Sequence, residues 1–339
     1  MRSRWRARLA RAAFMALCLI PAAGQTGALA GSSNDSGSLR YCDRPAQLSA
    51  AQQDKLLRLS GLIKAELDRS GARVALIARS GLNLGLFDMR YSHAGLSLQA
   101  SPDTRWAVRQ LYFACEERQP RLFDQGISAF LLGTDDPALG YISVVILPAQ
   151  ASAALEAVAL DNAQALRLLG VTYSANAYAF SALYQNCNQW LIELLATAWG
   201  GATAAADPRG AAQAWLKASG YEAAVFQLPW RPLLWLTSFS PWLRRDDHPE
   251  ADLDRSVFRV SMPASIEAFV RSQVSGAERV EFCHTDKHVV IRRGWEAIAD
   301  GCVAGRWIRS LRWIEPLRPS LPRSAQPSCP LCCKRHICA

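Results

Sequence analysis

Tyr184-Gln185-Asn186-Cys187-Asn188-Gln189-Trp190 ends a loop that begins at Tyr173 and opens an apolar helix running through Trp199, closed by Gly200-Gly201. Asn186 fits the N-cap position, which puts Cys187 in the first helical turn. Unbonded amides and the helix dipole favour a thiolate there. A thiol nucleophile also needs an imidazole within hydrogen-bond reach, oriented by a third polar group. The matching segment is Tyr91-Ser92-His93-Ala94-Gly95-Leu96. Ala94, Leu96 and Leu98 alternate with His93, Gly95, Ser97 and Gln99, which predicts a strand. The His93 face carries Gly95 and Ser97, small enough to let the end of the Cys187 helix approach.

Outward from these segments the chain alternates strands and helices. Ser49-Ala50-Ala51-Gln52 is a capping-box pattern, followed by Leu56, Leu59, Ile63 and Leu67 at helical spacing and ended by Gly71. Val74 to Ile77 reads as a buried strand and Ser80 to Arg90 as a loop. Trp106 to Tyr112 reads as a partner for the His93 strand, and Tyr141 to Leu147 as another strand. Ala151 to Leu169 reads as one helix. Beyond Gly201, a short helix at Ala211 to Ser219 leads into an aromatic, proline-bearing run, Phe226 to Leu243, with too many prolines for a membrane helix. Val257 to Val260 and Arg279 to Ile291 supply strands around a helix at Ser265 to Val270.

The start of the chain carries Arg2, Arg4, Arg6, Arg8 and Arg11, then an apolar stretch from Ala12 to Ala23, then Ala28-Leu29-Ala30. This is the three-part pattern of a secretory signal, with cleavage expected after Ala30 and a periplasmic or secreted destination. Its five arginines account for five of the nine positive charges of the chain, leaving +4. No basic stripe of the kind nucleic-acid domains carry is present in the body. Of ten cysteines, nine remain after such cleavage, in a compartment where disulfides persist. Cys42–Cys115 and Cys283–Cys302 are the expected pairs; the second is argued from the strand Val289 to Ile291 between two turns. Those four can pair without Cys187. His248, His284, His288 and His336 are read as surface or packing residues. Cys329, Cys332, Cys333 and Cys338 crowd a Pro- and Ser-rich tail that reads as disordered.

The order His first and Cys later resembles the circularly permuted branch of the NlpC-type papain-like superfamily. More closely, Arg79-Ser80-Gly81, Tyr91 to Leu96 and Tyr184 to Trp190 resemble a bacterial family of exported proteins of unknown function. The resemblance implies an α+β papain-like core, an antiparallel sheet packed on helices, with a C-terminal α+β extension. It implies Cys187 as nucleophile, His93 as base, and a third polar residue on the strand after the histidine; Gln110 is the candidate, with Gln99 behind it. The expected organisation is a signal peptide at 1–30, a linker at 31–40, the core at 41–200, a C-terminal part of the same domain or small second lobe at 201–316, and a tail at 317–339. The expected activity is thiol-dependent hydrolysis or acyl transfer on an amide or ester of a cell-envelope peptide or lipid, with no cofactor or metal. The rival is a non-catalytic binding module on the same fold.

Overall fold

A computed structural model describes residues 48–114, 117–134, 136–229, 240, 242–305 and 309–313. The expected signal, linker, Cys42–Cys115 pair, Cys-rich tail and most of the aromatic run after Pro229 lie outside the described residues.

The first helix, α1 (Ala50–Ser70), starts where the capping box is written: Ser49 Oγ accepts from Gln52 N at 3.3 Å, and Ser49 N donates back to Gln52 Oε1 at 2.9 Å. It stops at Gly71, whose φ of 67° is the left-handed conformation glycine adopts without penalty. Strands β1 (Val74–Arg79), β2 (His93–Leu98), β3 (Ala107–Ala114), β4 (Gln119–Gln125) and β5 (Gly140–Ile146) follow, with a short helix α2 (Ile127–Leu132) between the last two. Helices α3 (Ala149–Leu160), α4 (Asn162–Arg167), α5 (Cys187–Gly200) and α6 (Pro208–Ala218) come next. The chain continues through β6 (Ala224–Gln227), α7 (Glu250–Asp254), β7 (Val257–Val260), α8 (Pro263–Gln273), β8 (Glu278–His284), β9 (His288–Arg293) and β10 (Arg309–Arg312).

The fold is α+β. Eight strands form one sheet in the order β10-β9-β8-β5-β1-β2-β3-β4, every pairing antiparallel, while β6 and β7 make a separate antiparallel pair. The strands from the end of the chain thus continue the sheet begun by β1. β1, β2 and β5 are buried along their whole length, because helices cover both faces. Leu59, Ile63 and Phe130 of α1 and α2 pack on Ile77, Val108 and Ile142. Leu155, Trp190 and Leu194 of α3 and α5 pack on Leu76, Leu96 and Val145 of the other face. That two-sided cover explains why β1 reads as an unbroken apolar run. Cys283 and Cys302 are disulfide-bonded with Cα atoms 5.7 Å apart, tying β8 to the loop after β9.

The structure corrects three local expectations. The single helix expected over Ala151 to Leu169 is two helices. Asp161 accepts from Ala163 N and Gln164 N at 2.9 and 3.2 Å, capping α4 and turning the chain. β3 begins one residue later than expected: Trp106 has φ 65° and turns its indole onto Asp68 Oδ1 at 2.7 Å. Most consequentially, α5 does not approach the Gly95 and Ser97 face of β2. It packs on the Ala94, Leu96 and Leu98 face. Gly95 is small for another reason: a Cβ there would stand 2.6 Å from Val108 Cγ1 and 3.0 Å from the Arg109 carbonyl oxygen.

Candidate active site

Asn186 is the N-cap of α5, with φ −105° and ψ 174°, and its side-chain oxygen accepts from Gln189 N at 2.7 Å. Cys187 is therefore the first helical residue. It is 9% exposed and holds its sulfur as a thiol. The cap occupies the third-position amide, and the start of a helix is where amides and the helix dipole favour negative charge.

The loop leading into Cys187 is held from beneath by one buried carboxylate. Glu193, one helical face below, is fully buried. It accepts from Gln185 Nε2 at 2.6 Å, Arg209 Nε at 2.8 Å and Gln213 Nε2 at 2.8 Å. Arg209 uses its other nitrogens on the carbonyls of Ala182 at 2.7 Å and Tyr184 at 2.9 Å. Burial pushes the Glu193 carboxyl above its ordinary pKa, opposed by the Arg209 guanidinium. The network clamps residues 182–185 to α5 and α6, and so holds the loop that leads into Cys187.

His93 is the first residue of β2, 8% exposed. Its Nε2 lies 2.7 Å from Gln110 Oε1. An amide oxygen only accepts, so His93 Nε2 carries a proton, and in the neutral ring Nδ1 keeps the lone pair. The ring stacks on Tyr112 at 4.8 Å between centroids and meets Phe130 at 5.9 Å. Sheet register explains the trio: β2 and β3 pair with Leu96 opposite Arg109, which places His93, Gln110 and Tyr112 on one face. Gln99 lies past the other end of β2, its backbone amide on the Arg73 carbonyl at 2.9 Å. The structure thus brings His93 to Gln110 and leaves Gln99 apart.

The segment before His93 has its own buried anchor. Glu281 on β8 is fully buried and accepts from Arg90 Nη1 at 2.9 Å, Ile298 N at 2.6 Å and the Tyr91 hydroxyl. Arg279 joins through Tyr91 at 3.0 Å, Ser143 at 2.9 Å and Glu267 at 3.0 Å. Burial and the Glu281 charge raise the Tyr91 phenol well above its ordinary pKa, which keeps it a donor. Ser92 Oγ accepts from Leu82 N at 3.1 Å, and the Ser92 carbonyl accepts from Asn188 Nδ2 at 3.2 Å. That last bond couples the histidine segment directly to the first turn of α5.

Although His93 and the body of α5 occupy opposite faces of the sheet, both stand at the same strand ends. His93 and Cys187 line one cavity of about 330 Å³. Its polar lining includes Ser92, His93, Asn176, Asn186 and Asn188. Leu84, Phe87, Phe226, Leu228, Phe258 and Val260 form much of its apolar wall. Another wall is fastened by the 173–178 and 242–248 loops. Ala175 N donates to the Trp242 carbonyl at 2.8 Å, Tyr178 N to Asp247 Oδ2 at 2.7 Å, and His248 Nε2 lies 2.8 Å from the Asn176 carbonyl. Burial holds the His248 imidazole below its usual pKa, so its neutral form donates there.

A family model described as an uncharacterized protein conserved in bacteria (DUF2145) matches residues 66–270. The chain belongs to this family. The matched stretch holds the Arg79, Tyr91 and Tyr184 segments together with Arg209. No curated protein and no solved structure matches the chain.

Among the described residues no group of three His, Cys, Asp or Glu side chains could hold a metal ion, and no helix is long and apolar enough to cross a membrane. His284 and His248 are packing residues: both are buried, and neither lines the cavity. The sequence reading did not single out Glu193, Arg209, Glu281 or Tyr112. A lone acid inside the apolar helix Cys187–Gly200 is the signal that marks Glu193, since an uncompensated carboxylate there is untenable.

Proposed function

We propose that this family member is a thiol hydrolase or acyltransferase acting on an amide or ester bond, on a permuted papain-like core. One arrangement carries the reading: a cysteine at the first position of a capped helix shares a cavity with a histidine whose Nε2 is held by an amide oxygen. His93 Nδ1 takes the thiol proton. The Cys187 sulfur attacks the carbonyl carbon, forming the C–S bond and moving the π pair onto oxygen. The Cys187 backbone amide donates to that oxyanion. Collapse breaks the C–N or C–O bond, and the proton on Nδ1 goes to the leaving group. Water, or an acceptor hydroxyl or amine, then releases the acyl group by the same steps in reverse. Gln110 is a positioning residue that keeps the productive tautomer. The signal-like N-terminus supports action in the periplasm, on a peptide or lipid of the cell envelope.

Alkylation tests the pair directly. Iodoacetamide is expected to label Cys187 rapidly at about pH 6, where an ordinary thiol with pKa near 8.5 is almost wholly protonated. His93→Ala should slow that labelling and lower turnover about 100- to 10,000-fold. Cys187→Ser should keep the fold and abolish turnover. Labelling that begins only above about pH 8 and ignores His93→Ala would instead support a binding module.

A further inference from the structure

We infer that the group transferred to Cys187 is an aliphatic acyl chain. This rests on the catalytic reading above and specifies its substrate.

The cavity has a polar and an apolar lining. Ser92, His93, Tyr112, Asn176 and Asn188 are among its hydrogen-bonding side chains. Phe258, Val260 and Met262 form an apolar cluster with Leu84, Phe226 and Leu228, and most of that cluster faces the cavity. Phe87 closes on Phe226 edge to face at 4.9 Å. Met262 Sδ lies 3.8 Å from Asn188 Nδ2, so the apolar wall begins one residue from the nucleophile. Buried apolar surface of this kind, left uncovered, is a binding surface.

Charge at the described lining disfavours the rival substrate. Among the described lining residues Arg79 is the one charged side chain, and its guanidinium bonds the Gly133 carbonyl and the Tyr112 hydroxyl at 3.3 Å. No carboxylate or lysine is among the described lining residues. An envelope peptide would bring ammonium groups into a cavity with no described carboxylate to pair with them, and carboxylates to an arginine that already bonds Gly133 and Tyr112, at a desolvation cost. A hydrocarbon chain meets no such penalty.

Size sets the length. At roughly 30 Å³ for each water-sized group, the cavity of about 330 Å³ holds on the order of ten heavy atoms. That is a carbonyl and a chain of about eight carbons. The chain lies along Val260 and Phe258 with its carbonyl at Cys187.

The test is a series of 4-nitrophenyl esters, acetate to dodecanoate, with wild-type protein and Cys187→Ser. Turnover that depends on Cys187 should rise in kcat/KM by up to about fourfold per methylene and level near eight carbons. Phe87→Ser should narrow the octanoate-to-acetate ratio. Cys187-dependent turnover that is flat with length, or highest for acetate, overturns the inference and leaves the catalytic reading standing. Turnover independent of Cys187 removes the catalytic reading. The decision then passes to calorimetry of octanamide against acetamide on Cys187→Ser. A preference of a hundredfold or more sustains the aliphatic pocket, and one below about tenfold overturns it.

Discussion

Glu193 and Glu281 are both fully buried carboxylates, and each holds one half of the candidate site, but they gather their partners from different distances along the chain. The side chains bonded to Glu193 come from Gln185, Arg209 and Gln213, none more than 20 residues away. Tyr91 and Arg90 reach Glu281 across 190 and 191 residues. The cysteine half is therefore organised by its own neighbourhood, while the histidine half is assembled only when β8 docks on β5. The two also differ in redundancy. Arg209 has Glu193 as its one carboxylate partner among the described residues. Arg90 also pairs with Asp300 and Arg279 with Glu267, so both cations near Glu281 keep a second partner.

Glu193→Gln should be the most damaging change. It strands the Arg209 charge in the interior, and breaking a buried pair from one side costs about 3–5 kcal/mol. Urea unfolding should show that loss, and slower alkylation of Cys187 should accompany it. If the loss stays below about 1 kcal/mol, the clamp is not what holds the loop. Glu281→Gln should cost less, about 2 kcal/mol, because what disappears is hydrogen bonding to cations that remain paired. Cys187 labelling in the presence of the intact thiol helix should then change mainly through His93. Equal losses in the two variants would erase the contrast.

The β8 side also carries an acid sensitivity. Burial depresses the His284 imidazole to about 4 from its usual 6.5. The fold accepts the neutral ring, so below about pH 6.5 the unfolded chain takes up a proton that the folded chain refuses. Stability is present above pH 6.5 and declines as pH falls toward 4. Between pH 7 and pH 5 the decline should be about 2 kcal/mol, measured as a shift in urea midpoint, and His284→Asn should flatten it. A wild-type midpoint indifferent to pH over this range contradicts the assignment. The smallest effect is expected from Gly95→Ala, about 1–2 kcal/mol of overpacking. The new Cβ meets Gln110 Cβ at 3.1 Å as well as Val108, so turnover should fall further than stability does.

Much of this was legible in the residues because it is local. Ser49 with Gln52 writes the start of α1 and Gly71 its end. Asn186 and Gly201 do the same for α5, so the helix-start position of Cys187 follows from a few adjacent side chains. Alternation placed Ala94, Leu96 and Leu98 opposite His93, and the turn-bounded strand Val289 to Ile291 pointed to the Cys283–Cys302 bridge. The elements that escaped notice are short or polar. β4 reads Gln-Pro-Arg-Leu-Phe-Asp-Gln and is an edge strand held by its pairing with β3, not by its own pattern.

The sequence by itself determined the ends of α1 and α5 and the alternation of β2, and pointed to the two residues around which the candidate site is built, because capping and periodicity act over a few positions. Only the tertiary structure decided which face of β2 the α5 helix covers, since a strand buried on both sides gives no local sign of which neighbour lies on which side. Tertiary packing alone also brought His93 and Cys187 to one cavity around the end of the sheet, and set Gln110 beside the imidazole. Gln99 follows His93 along the same stretch of chain and stands past the far end of β2, whereas Gln110 comes from β3. The register of β2 against β3 puts Gln110 there, and register is set by the burial of the whole sheet, not by either residue.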